Sequence, residues 1–331
     1  MGVKIYETDR DYPGLFEEWE ELGINTCFVS VDLARDSLFR DLAKENDIKL
    51  FVILPVFFNP EALESNPEWY AITDRGIKAK EEWVEFISPS QTEYVKARIV
   101  FIRDVVKEVK PDGISLDFIR YFAFWEKIYA NRTLETIPNS SFDPESLSDF
   151  QDQTGIRIPP EMESVSDKAG WIINHYEPRF TEWKCRRIEQ VAREIAMEVK
   201  KAIPDLIINI HLVPWRQSDF DGAVRKIVGQ DVTFLSPLVD YISPMCYAHM
   251  LKREAQWVHD VVQDIYISTD SADVLPSIQV KEAYLETPLT ASEFEANLRA
   301  ALRHPSKGVV LWSWDHLELD PEKKVVLRRV F

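Results

Sequence analysis

Asp117 is the acid best placed to do chemistry in this 331-residue chain. In GISLDFIRY a carboxylate closes an apolar run and is followed by Arg120 and Tyr121. A carboxylate at the end of a buried strand can act as a nucleophile, stabilise an oxocarbenium ion or orient another group. Its structural alternatives are a helix N-cap or an ion pair with Arg120. Three further acids follow strand-like runs: Glu282, Asp315 and Asp32. Each is a candidate second carboxylate, with loop solvation or helix capping as the alternative role. Retaining glycoside hydrolysis needs two carboxyls about 5–5.5 Å apart, and inversion about 6.5–9.5 Å. Other strand-end residues suit a polyhydroxylated ligand: Arg120, Tyr121, His211, Trp215, Tyr247, Gln279, Trp312 and Trp314. Aromatic faces beside carboxylates are what a glycan site requires. Trp69, Tyr70, Phe122 and Trp125 are candidates for the rim of such a cleft.

These residues are ordered by an alternation of short apolar runs and amphipathic helices. The runs are Val3–Tyr6, Asn25–Val31, Lys49–Leu54, Ile114–Phe118, Leu206–Val213, Val239–Met245, Val274–Val280 and Gly308–Ser313. KLFVIL, with no alternation, reads as a strand buried on both faces. The clearest helix covers 91–110, with apolar positions at Val95, Ile99, Ile102, Val105, Val106 and Val109. Others are expected over 14–21, 35–45, 178–202, 254–266, 292–302 and 322–330. Eight such units predict parallel pairing through right-handed crossovers, closed as an α/β (β/α)8 TIM barrel in one domain spanning 1–331. Residues 119–168 break the repeat and read as an insertion after the fourth strand, helical over 144–154.

Composition narrows the partners. Hydrophobic residues make up 45% and charged residues 29%, ordinary for a globular chain. A net charge of −17 disfavours nucleic acid and anionic membrane surfaces. No glycine-rich nucleotide fingerprint occurs, so no cofactor is expected. Cys27, Cys185 and Cys246 have no paired spacing and read as buried thiols. The six histidines are scattered, so no metal site is expected. No basic start precedes an apolar run, which leaves a cytoplasmic chain or the mature part of an exported one. Oligomeric state is not encoded in any feature of the sequence.

DGISLDFIRY (Asp112–Tyr121), VDYISPMCY (Val239–Tyr247), PSIQV (Pro276–Val280) and GVVLWSWD (Gly308–Asp315) resemble the bacterial family-10-like glycosyl hydrolase barrels. SDFQDQTGIRIP (Ser148–Pro159) resembles an insertion in those proteins. The resemblance implies cleavage of a glycosidic bond in a neutral or amino-sugar glycan. A more distant likeness is to chitinase-like barrels, whose fourth strand reads D-G-x-D-x-D-x-E. Asp112, Asp117, Met245, Tyr247 and Trp312 match that pattern. Ser115 replaces its middle Asp, and Ile119 stands where the catalytic acid Glu belongs. The acid must then come from elsewhere in this chain. Two other functions stay open: a carbohydrate-binding protein on a degenerate hydrolase barrel, and a metal-dependent lyase or deacetylase using Asp117 and His211.

Overall fold

Lys49–Pro55 is flanked on both edges by parallel partners, as its unbroken apolar run predicts. The computed structural model describes residues 1–331 and extends this pairing around a ring. The staves are β1 (Gly2–Ile5), β2 (Thr26–Val29), β3 (Lys49–Pro55), β4 (Gly113–Asp117), β5 (Ile207–Leu212) and β6 (Tyr241–Pro244). They continue with β7, in two pieces at Asp273–Val274 and Ser277–Gln279, and β8 (Val310–Trp312). Pro276 lacks an N–H and interrupts β7. A bridge from Met245 to Ser277 joins β6 to the second piece, and β8 pairs with β1, so the ring closes. The fold is the (β/α)8 barrel, with helices packed outside.

Strand alternation decides which residues enter the barrel. Val3, Ile5, Val52, Leu54, Ile114, Leu116, Ile208 and Ile210 belong to the large apolar cluster shared with the helices. In the helix Thr92–Val109 all six expected apolar positions are buried. Phe28, Phe51, Ile53 and Val310 form a separate cluster plugging the N-terminal end of the barrel. Gly113 makes room for it: a Cβ there would stand 2.4 Å from the Phe51 ring. Above the plug lies a polar layer of Lys4, Ser115, Asn209, His211, Ser243 and Ser277, all at most 2% exposed. Branched aliphatic residues usually fill such a barrel. Burying hydroxyl, amide, imidazole and ammonium groups instead costs free energy unless they bond one another. Four of them do: Asn209 donates to Ser115 (2.8 Å), Ser115 meets His211 Nε2 (2.8 Å), and Ser243 donates to Asn209 (2.8 Å).

Two expected helices differ in extent. The helix expected over 35–45 is two, Val31–Arg35 and Ser37–Glu45, because Asp36 caps the second through the Leu38 and Phe39 N–H groups. The helix expected from Pro178 begins at Val165, where Ser164 and Asp167 form a capping box. It kinks at Tyr176, so Pro178 opens its second part rather than starting the whole. The helix Pro144–Thr154 stands where expected, begun by Asp143 and ended by Gly155 at φ 74°. With the long helix it encloses a small core of its own, including Phe142, Phe150, Phe180 and Trp183. After β3 the chain adds a hairpin, Lys80–Glu81 with Val84–Glu85, that carries Trp83 at its turn.

Candidate active site

Asp117 ends β4 half-buried, its Oδ1 accepting the Phe118 N–H at 2.8 Å. Phe118 then turns left-handed, at φ 49°, and its ring stacks on Phe58 at 4.7 Å. The sharp turn sends Arg120 into the protein, 2% exposed. One guanidinium nitrogen donates to the Tyr121 and Ala123 carbonyls, and the plane lies over Phe86 and Phe118. Arg120 thus shapes the loop after β4 through one of its guanidinium nitrogens. That loop delivers Glu126, in the short turn Trp125–Lys127, to the same mouth.

Glu126 is 8% exposed and its Oε2 has no hydrogen-bond partner. Burial pushes its carboxyl up to about 7; the Arg120 charge works against this and the Asp117 charge adds to it. Two carboxyls thus stand within electrostatic reach of each other. One is half-buried at a strand end, and the other is dry enough to hold its proton near neutrality.

Around them lie aromatic rings. Tyr247 stacks on Trp312 at 4.5 Å and 15°, and Trp125 packs on Tyr247 at 5.8 Å. Tyr6 follows β1 into this group. Tyr6 is 41% exposed, and the protein around its hydroxyl, then the charges of Asp117 and Asp315, push that hydroxyl above the ordinary tyrosine range. At the rim, Trp83 donates its indole N–H to the Tyr284 hydroxyl at 2.7 Å. The two come from loops after β3 and β7, on opposite sides of the ring, and Phe124 lies against both. Hollows exist at the insertion, lined by Phe142, Ile158 and Pro160, and at the N-terminal end of the barrel. Neither borders Asp117, so chemistry rather than volume marks this mouth.

The other expected residues sit as follows. Asp315 pairs with Arg10 at 2.7 Å and accepts the Tyr6 and Glu7 N–H groups at 3.2 Å, pinning the loop after β1. Glu282 accepts the Leu289 N–H at 3.2 Å and braces its own loop. Asp32 is exposed in the helix Val31–Arg35, which Ser30 caps. His211 gives Nε2 to Ser115, and burial with the nearby Lys4 charge depresses it to about 3, so it is neutral. Gln279 spends both amide atoms on the Met250 N–H and the Lys281 carbonyl. Tyr121 is buried outside the barrel against Trp183 and under the Lys184 ammonium. Trp215 packs on Phe220, and Trp314 on Trp19. Of the eight residues expected to bind ligand, Tyr247 and Trp312 share the mouth with Asp117. Glu126, Tyr6, Lys4, Trp83 and Tyr284 were not anticipated. FAFWEKIY does carry a signal for Glu126: a lone acid within an aromatic run.

The buried acid has a consequence for folding. A carboxyl whose folded pKa is raised stabilises the fold fully below its unfolded pKa, and that contribution is lost as pH rises through the folded value. For Glu126 this window runs from about 4.5 to about 7. Glu126→Gln removes the slope, so the variant gains on the wild type by on the order of 3 kcal/mol between pH 4 and pH 8. Urea unfolding at the two pH values measures it; an identical pH dependence in both proteins would contradict the assignment.

No family model matches the chain, and no curated protein sequence matches it. Solved structures do. The PgaB (BpsB) glycoside hydrolase domain from Bordetella bronchiseptica superposes with a TM-score of 0.72 at 12% identity, over 98% of this chain and 97% of that one. A β-galactosidase from the psychrophilic Marinomonas ef1 gives 0.70 at 9%, over 99% of this chain and 58% of that one. A chitinase from Chromobacterium violaceum gives 0.56 at 8%, over 99% and 98%. At these identities the likeness shows a shared fold.

Proposed function

We propose that the protein hydrolyses a glycosidic bond in a neutral or amino-sugar glycan, with Glu126 as general acid and Asp117 as the second carboxyl. The observation that carries this reading is the carboxyl pair itself, with the acid of the pair raised to about 7 in an aromatic mouth. A protonated Glu126 donates to the leaving oxygen as the bond breaks. Asp117 faces the positive charge that develops at the anomeric carbon, as nucleophile or as electrostatic partner, and a water that gives its proton to the now deprotonated Glu126 attacks that carbon to complete the hydrolysis. Trp312, partly exposed and stacked on buried Tyr247, offers an apolar face for a sugar ring, and the Trp83–Tyr284 pair bounds the mouth above. That the structural neighbours carry glycoside hydrolase names supports the same reading.

Glu126 acts as an acid only while protonated. On this reading kcat/KM falls tenfold per unit above about pH 7. The test is a panel of α- and β-nitrophenyl glycosides and of neutral and amino-sugar oligosaccharides at pH 5.5, followed by a pH profile on whichever is cleaved. Turnover with an alkaline limb near 7 supports the proposal. Binding of an oligosaccharide without cleavage of any would favour the binding-protein reading, which the apolar Ile119 at the chitinase acid position motivates.

A further inference from the structure

Lys4 is the one lysine inside the barrel. In β1, alternation sends Val3 and Ile5 to the helices and Lys4 inward, in register with Phe28 of β2 and Trp312 of β8. It is 2% exposed. Its ammonium has three N–H donors, yet its hydrogen bond is a long one, 3.4 Å to the Tyr247 hydroxyl, and no carboxylate lies within ion-pair distance. Lysines this deep are ordinarily paired. Folding gains nothing from an ammonium here that a methionine would not supply, so the group calls for another explanation.

We propose that Lys4 is a positioning residue of the reaction: its ammonium, buried beneath the mouth with one long contact to Tyr247, is the fixed positive charge set opposite the Asp117 carboxylate. This rests on the reading of Asp117 and Glu126 as the reacting pair. The groups that meet Lys4 are Asp117 from β4 and His211 from β5 through their charge or polarity, and Tyr247 after β6 through its hydroxyl. His211 is neutral, and burial pushes the Tyr247 hydroxyl far above the working range. Asp117 is therefore the anion that reaches Lys4. Burial lowers the ammonium to about 8 while the Asp117 charge opposes the fall, so Lys4 is charged at the pH where Glu126 is still an acid. Arg120, the other buried cation near both carboxyls, spends one guanidinium nitrogen on the loop carbonyls. Lys4 has no such second task, and its long contact to Tyr247 ties it to the ring on which Trp312 stacks.

The test uses Lys4→Met and the whole chain. Its kcat/KM on the glycoside cleaved by the wild type falls about a hundredfold, with KM little changed. Its melting temperature stays equal or rises, because a buried, poorly bonded ammonium is replaced by an apolar side chain of similar length. A lysine needed for folding would lower both together. A second measurement needs no substrate: the Lys4 side-chain 15N signal, titrated in the wild type and in Asp117→Asn. The midpoint lies near 8 in the wild type and falls further in the variant. Unchanged kcat/KM in Lys4→Met, loss of activity only with loss of melting temperature, or a midpoint indifferent to Asp117 would each overturn the proposal. A wild type inert on every glycoside would instead overturn the reading of the carboxyl pair, whatever the ammonium titration gives.

Discussion

Asp117→Asn is expected to lower kcat/KM by about 10³-fold while oligosaccharide affinity changes little. The substitution keeps the shape of the side chain and its bond from the Phe118 N–H, so the turn at Phe118 and the loop beyond it stay in place. What disappears is the negative charge facing the anomeric carbon. Charge that matters in the transition state and little in the ground state appears in kcat rather than in KM. A second effect accompanies it. The Asp117 charge helps hold the proton on Glu126. Without it Glu126 becomes a stronger acid, and any residual activity loses its alkaline limb at a lower pH. Steady-state kinetics with calorimetric binding on the same oligosaccharide separates these outcomes. Equal loss of binding and turnover would make Asp117 a plain ligand contact.

Glu126→Gln should cost about 10²–10⁴-fold on glycosides with poor leaving groups and little on aryl glycosides whose phenolate leaves unaided. The amide fills the same space but brings no transferable proton. The alkaline limb near 7 should vanish with it. This dependence on leaving group identifies a general acid more sharply than the size of the loss, because a misfolded mouth would be slow on every substrate. The higher stability expected of the same variant above pH 7 guards against the same confusion.

The barrel was legible because its signals are local and repeated. All eight apolar runs became staves, with ends shifted by a residue or two and β7 broken at Pro276. The insertion helix Pro144–Thr154 was legible from its proline start and glycine stop. The start at Val165 was not, because Pro178 outweighed a capping box hidden in a polar stretch. Asp117 was visible for the same local reason: a carboxylate ending an apolar strand. Its companion was sought among acids that directly follow strands, and Glu282 and Asp315 instead brace loops through backbone N–H groups and Arg10. Glu126 lies nine residues along a loop whose path depends on the left-handed Phe118 and on buried Arg120. Nothing in local patterning encodes that path. Trp314 and Tyr121 failed as ligand platforms for a related reason. Strand parity ends with the strand: the chain beyond Trp312 coils into the helix Trp314–Leu317, and beyond Phe118 it turns away from the ring. Apart from His211, the polar layer under the mouth was not read from the sequence, because single polar residues in short strands look like exposed positions until the ring closes over them.

The account stands on a Glu126 carboxyl that keeps its proton near neutrality beside Asp117, and the direct test is the 13C titration of the Glu126 carboxyl in the wild type and in Asp117→Asn. A midpoint near 7 that falls when Asp117 loses its charge is the predicted result. A midpoint in the ordinary glutamate range, about 4.3, in both proteins would contradict it and remove the general acid from this site.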